Sequence, residues 1–225
     1  MKLESIERHT LTVHLIWTVI AAAMLFLPLG LTLGHVVFGL VLLYNLMVPI
    51  AAKSAGHDEV FRLWLFLVPL SAFQVLPDYF LADVIGVLVF PEIGFPQFGP
   101  VSAFMAGMWT IPLFVIVFVS RRIEARQGRQ AGLLWAALLS FLIFVGSEAT
   151  LWRLSIWHAE NVHMTAHVAW YVVLPEVLLG LSTFLAFDLL GKRAVVWRIL
   201  GALAVSAFYL GNLGLSYLLI ERILF

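Results

Sequence analysis

Seven long apolar runs decide what this chain can become. They cover about residues 10–29, 32–52, 60–77, 101–120, 131–151, 164–188 and 195–218. A helix needs roughly 20 apolar residues to cross the hydrocarbon layer of a membrane. Of the 225 residues, 63% are hydrophobic and only 12% are Asp, Glu, Lys or Arg. One soluble core cannot hide that much apolar surface, because a soluble domain of this length is about half apolar and about one quarter charged. The expected fold class is therefore all-α: a polytopic membrane protein, a single domain over residues 1–225, built as a seven-transmembrane-helix bundle.

The basic residues orient this bundle. Lys2, Arg8, Lys53, Arg62, Arg121, Arg122, Arg126, Arg129, Lys192, Arg193 and Arg198 fall on one side of a seven-span chain, and only Arg153 and Arg222 fall on the other. Basic loops stay in the cytoplasm, which predicts a cytoplasmic N-terminus and an outside C-terminus. The expected location is a bacterial inner membrane. Residues Arg121 to Arg129 read as a cytoplasmic loop, solvated or touching anionic headgroups. The first run is too long for a cleavable signal and has no small-residue cleavage site, so none is expected. The 13 basic and 13 acidic residues cancel, and nothing suggests a nucleic-acid partner. The chain has no cysteine, which excludes disulfides, thiolate metal sites and cysteine nucleophiles.

The stretch from Val145 to Gly180 concentrates the chemistry. Glu148 lies near the outer end of one apolar run and Glu176 well inside the next. His158, Glu160, His163 and His167 fill the connection. A carboxylate at membrane depth is costly, so it faces the bundle interior and marks either a site or a packing contact. Glu148 could instead reach water from its span end. Glu160, His163 and His167 recur at helical spacing and share a face with Tyr171 if the sixth helix starts early. That spacing suits a divalent metal held by Glu160, His163 and His167, and it equally suits a solvated interfacial turn. Glu176 lies about 180° around an unkinked helix from His167, so the two converge only if Pro175 turns the helix.

The third run breaks at Pro77-Asp78 and resumes through Asp83, which suggests a segment lining the site or an ordinary helix end followed by a surface helix. Residues 78–99, with Pro91, Pro96 and Gly99, should fold back over the outer ends of the bundle. Asn45, Gln74 and Asn212 interrupt apolar runs and suit interhelical hydrogen bonds. Asn45 and Gln74 are also candidates for substrate contact. Trp152 and Trp157 stand where an aromatic belt is expected, whereas Trp109, Trp170, Tyr171 and Tyr79 could line a pocket and stabilise a cation. Several sites are missing. The seventh span has no lysine for a retinal Schiff base, and the chain has no phosphate-binding glycine loop and no Asp-rich DDxxD motif. His14 and His35 lie at opposite depths, which argues against haem.

A resemblance adds to this reading. The seven spans, the acids within helices and the absent diphosphate motif resemble the integral-membrane meroterpenoid cyclases of fungi and bacteria. The run LADVIGVLVFPEIGFPQFG followed by MWTIPLFVIVF is similar to the membrane carotenoid hydratases and small lycopene cyclases. The cyclases carry acids in the second and seventh spans. Here Asn45 and Asn212 stand in those spans and Glu221 lies beyond, so no catalytic role is carried over. The resemblance implies a hydrophobic isoprenoid or lipid substrate, drawn from among the membrane lipids. The residues permit the same chemistry: a carboxylic acid shielded from water can protonate an alkene. Glu176 or Glu148 would be the acid, with Asp78, Asp83, His163 or His167 as partner or base. No cofactor is expected; a divalent metal belongs to the alternative of a metal-dependent lipid enzyme. A proton-coupled transporter or lipid-binding module is the non-enzyme alternative.

Overall fold

In a computed structural model, which describes residues 3–225, seven helices are long and apolar enough to cross a membrane. They are α1 Ser5–Phe26, α2 Leu33–Ser54, α3 Asp58–Ile85, α4 Met105–Gln127, α5 Arg129–Leu154, α6 Trp170–Leu190 and α7 Val195–Leu224. Six of them form an incomplete ring, packed in the order α1, α2, α3, α7, α6, α5. Helix α4 runs inside it against α2, α3, α5 and α6. Helix α1 has its one extensive contact along α2, and the ring stays open between α1 and α5.

Small residues set the tightest crossing. A Cβ on Gly180 would lie 1.7 Å from Ser140 Oγ, so α5 and α6 meet backbone against side chain. The outward faces carry exposed Val19, Phe26, Ile50, Leu134 and Leu189, a surface for which lipid is a good solvent and water a poor one.

The two ends differ. At one end, here called the arginine end, α4 continues as helix through Arg121, Arg122 and Arg126 to Gln127, and Arg129 opens α5. This corrects the expected loop. Arg121 bonds Glu59 at 2.9 Å and Asp188 at 2.8 Å. Arg122 binds Glu59, and Arg126 binds Glu7. Arg129 holds Glu124 at 2.6 Å and Asp188 at 3.1 Å. These pairs tie α1, α3, α4, α5 and α6 together. Lys2 lies outside the described residues.

At the opposite, loop end, the connections fold over the bundle as a roof. Strand β1 (Leu88–Val89) pairs antiparallel with β4 (His158–Ala159), and Glu160 N–H donates to the Val87 carbonyl at 2.9 Å. Residues 86–104 also reach α2: Gly34 N–H donates to the Ile93 carbonyl at 2.8 Å, and Phe95 stacks on Phe38. A Cβ on Gly34 would lie 2.5 Å from Phe95 Cβ, so only glycine admits the loop there. Strands β2 (Gln97–Phe98) and β3 (Val101–Ser102) close a hairpin. The fold-back of this segment agrees with expectation.

Pro77 does not break the third span. The chain turns at Gln74, resumes over Val75–Tyr79 and passes into a π-helical turn over Phe80–Ile85. Pro77 stands in the first turn of that resumed segment, where a missing N–H costs little. The sixth helix starts at Trp170, later than expected, and runs through Pro175 without interruption. Before it, β5 (Met164–Thr165) and β6 (Val168–Ala169) form a second hairpin. Its turn residues Ala166 and His167 both have positive φ, 50° and 67°, the geometry of a two-residue hairpin turn.

Candidate active site

A cavity of about 450 Å³ lies under the roof. Its walls come from α1 (Trp17, Ala21, Leu25), α2 (Val37, Leu40, Val41), α4 (Trp109, Ile111, Pro112, Val115), α5 (Phe144, Ser147, Glu148) and α6 (Tyr171, Val172, Glu176). Asp78 of α3 and Tyr209 of α7 complete it. Leu88, Leu154, Ile156, Trp157 and Ala159 close it toward the loop end.

Three carboxyl groups from three helices meet in this cavity. Asp78 lies seven residues before the end of α3, Glu148 six before the end of α5 and Glu176 six after the start of α6. At 1.5 Å per residue all three sit roughly 10 Å in from the loop end. The helices therefore present them at one depth. Glu176 lies within charge-interaction range of both Glu148 and Asp78. No lysine or arginine is among the lining residues.

Their partners are indoles. Trp109 Nε1–H donates to Asp78 Oδ2 at 3.2 Å, and Trp157 Nε1–H donates to Glu148 Oε1 at 2.9 Å. Glu176 Oε2 is buried without a hydrogen-bond partner. Trp109 packs against Phe144 at 5.6 Å and Tyr209 at 6.0 Å between ring centroids. The result is an apolar, aromatic-rich chamber holding three acids and few donors.

Of the expected site residues, the structure brings Glu176, Glu148, Asp78, Trp109 and Tyr171 together and leaves the others outside. Asp83 is exposed beside Tyr79, itself 38% exposed, on the outer surface. Trp170 is 43% exposed and donates to Thr165. Asn45 joins helices: its amide donates to the Gly107 carbonyl at 3.2 Å and its oxygen accepts from Trp64 at 3.2 Å. Gln74 is fully buried, and neither amide atom has a partner. Asn212 bonds its own helix at Phe208 rather than a neighbour.

The shared face of Glu160, His163 and His167 does not exist, because residues 158–169 form strands and turns rather than an early helix. His163 Nδ1 pairs with Glu221 at 2.7 Å and its ring stacks on Phe225. His167 stacks on Trp152 at 3.9 Å between centroids. Among the described residues no group of three or more His, Asp or Glu is placed to hold a metal ion. His167 precedes the start of α6 at Trp170, so a turn at Pro175 does not bring it to Glu176.

Two cavity residues escaped the sequence reading. Trp157 was expected in an interfacial belt but turns inward to Glu148. Tyr209 sits in the apolar seventh span, where only Asn212 was singled out.

Seven apolar helices around an acid-bearing chamber define the class to which this chain belongs. The family described as a domain of unknown function, DUF6989, matches residues 75–220, well over half the chain, and the chain belongs to that family. The matched span contains Asp78, Glu148 and Glu176 and omits α1 and α2, which supply the remaining wall. No curated protein and no solved structure matches the chain.

Proposed function

We propose that this chain is an integral-membrane enzyme acting on a lipid-soluble isoprenoid by acid-initiated carbocation chemistry, cyclisation or hydration. The observation that carries the reading is the convergence of Asp78, Glu148 and Glu176 on one apolar, aromatic-rich cavity without a cationic partner. Glu176 is the proton donor, because no other protein group engages its Oε2. Its O–H bond breaks as a C–H bond forms from the π electrons of an alkene, leaving a cation on the adjacent carbon. Trp109, Tyr171 and Tyr209 present π faces that stabilise such a cation, and the apolar walls keep stray water from quenching it. In cyclisation a second alkene attacks the cation. Asp78 or Glu148, each steadied by an indole N–H, then takes a proton from the neighbouring carbon, and a C=C bond is restored. In hydration one water adds to the cation and gives its second proton to that carboxylate. Return of this proton to Glu176 completes the cycle.

The chain would sit in the membrane with its arginine end cytoplasmic and its C-terminus outside, as the distribution of basic residues favours. Reporter fusions after Phe225 test this; a cytoplasmic signal overturns it. The chemical reading is tested with purified protein in lipid nanodiscs, supplied with linear polyprenyl alcohols and their epoxides, with products read by mass spectrometry. An isomerised or water-added product that disappears in Glu176→Gln supports it. Full turnover by a normally folded Glu176→Gln protein removes Glu176 as the acid, and loss in Glu148→Gln alone moves the acid to α5. Proton uptake into liposomes without any altered lipid would replace the enzyme with a proton-coupled transporter.

A further inference from the structure

The walls of the cavity differ in how well they are sealed. Toward the loop end it is covered by the paired roof segments, with Leu88, Ile156, Trp157 and Ala159 facing it. Toward the arginine end it stops at a packed plug. One turn below Trp17, His14 Nε2 bonds the hydroxyl of Tyr44 at 2.9 Å and its ring lies 5.3 Å from that of Phe114. Tyr44 and Phe114 are at most 1% exposed. Behind the cavity, α4 backs onto α3 and α6.

The remaining side is the gap in the ring. Trp17, Ala21 and Leu25 form a stripe at four-residue spacing on α1, and Phe144, Glu148 and Leu151 form one at four- and three-residue spacing on α5. Between them the face of α4 bearing Ile111, Pro112 and Val115 is only half-buried. Ion pairs from Glu7 and Glu4 hold α1 at the arginine end. Toward the loop end α1 leans on α2 alone, where Leu40, Val36 and Ala21 pack, and Phe26 is 80% exposed. Apart from Glu148, both lips of the opening are apolar.

We propose that the cavity is loaded sideways from the lipid, through the gap between α1 and α5, and that it encloses about three isoprene units of its substrate. Longer chains leave their remainder in the bilayer. The proposal rests on the isoprenoid reading above. The length follows from volume on an order-of-magnitude scale: a water molecule takes roughly 30 Å³ of the liquid, and with a carbon group taken as of similar size the 450 Å³ cavity holds about 15 carbons. The reacting double bond then lies beside Asp78, Glu148 and Glu176, and the tail lies along Ile111, Pro112 and Val115 toward the gap.

The cysteine-free sequence makes the test clean. A Leu25→Cys, Leu151→Cys double variant is bridged across the gap with a reducible bifunctional thiol reagent in nanodiscs. Binding of radiolabelled linear polyprenyl alcohols of two, three, four and six isoprene units is followed without turnover. Transfer from lipid to cavity gains packing rather than hydrophobic free energy. Affinity is therefore expected to rise severalfold from two to three units and to change by less than about twofold beyond. Bridging should slow loading by about tenfold or more, and reduction of the linker should restore it. Loading that ignores the bridge overturns the lateral route while leaving the isoprenoid reading intact. Affinity that keeps climbing to six units overturns the chain length. Failure of every alcohol to bind, by a protein whose melting transition is normal, overturns this proposal and the isoprenoid reading together.

Discussion

The two ends of the bundle handle carboxylates in opposite ways. At the arginine end Glu4, Glu7, Glu59, Glu124 and Asp188 each lie within ion-pair distance of Arg121, Arg122, Arg126 or Arg129. In the cavity, three carboxyls have two indole N–H groups between them. Charges that hold helices together are paired, because a lone ion out of water costs several kcal/mol. A carboxyl kept in an apolar chamber without a cation does nothing for stability that an amide of the same shape could not do. What the amide lacks is a proton to give. On the proposed function, the contrast is between a structural use of acids and a chemical one within one molecule.

The largest effect that would break this contrast lies at Glu176. Glu176→Gln, an isosteric change at a buried site, should shift stability by no more than about 1 kcal/mol and lower turnover by about 10²–10⁴-fold, the usual contribution of a general acid. Parallel melting and product assays read both numbers, and a fall in stability with turnover intact would make Glu176 a packing residue. Next comes Glu59, which binds Arg121 and Arg122 at the first turn of α3. Glu59→Gln should cost about 1–2 kcal/mol of stability, between exposed and buried pairs, with activity per folded molecule unaltered. Trp157→Phe removes the donor to Glu148 but keeps an aromatic wall; turnover should fall about tenfold, worth ~1.4 kcal/mol. Steady-state kinetics would check this, and an unchanged rate would free Glu148 of a chemical role. The smallest effect is expected for Arg129→Ala, whose 41% exposed side chain should contribute less than about 1 kcal/mol, measured by the same melting assay.

The seven helices were legible because lipid solvation demands long apolar runs, and no tertiary detail can hide them. Their ends were less so. The fourth helix outlasts its apolar run because carboxylates from other helices meet Arg121, Arg122 and Arg126, which hydropathy cannot register. Residues 158–169 misled because three- and four-residue spacing also fits a hairpin, and Ala166-His167 lacks the Asn-Gly signature of such turns. The depth of Glu176 and Glu148 marked them as unusual. That Asp78 joins them, and that Trp157 turns inward, depends on how α3 and the roof pack. A linear pattern contains neither fact.

The ladder between β1 and β4 has a mechanical meaning. Each strand is a short tether: β1 follows the last turn of α3 by a few residues, and β4 follows the end of α5 just as closely. Lifting the roof therefore pulls on the two helices that carry Asp78 and Glu148. Glu176 stands on α6, which is clamped to α5 where Gly180 meets Ser140, so it moves with Glu148. A displacement of the cover would thus spread the acid cluster unevenly, shifting Asp78 on α3 relative to Glu148 and Glu176, whose helices are clamped together. The roof is thereby coupled to the spacing of the three carboxyls.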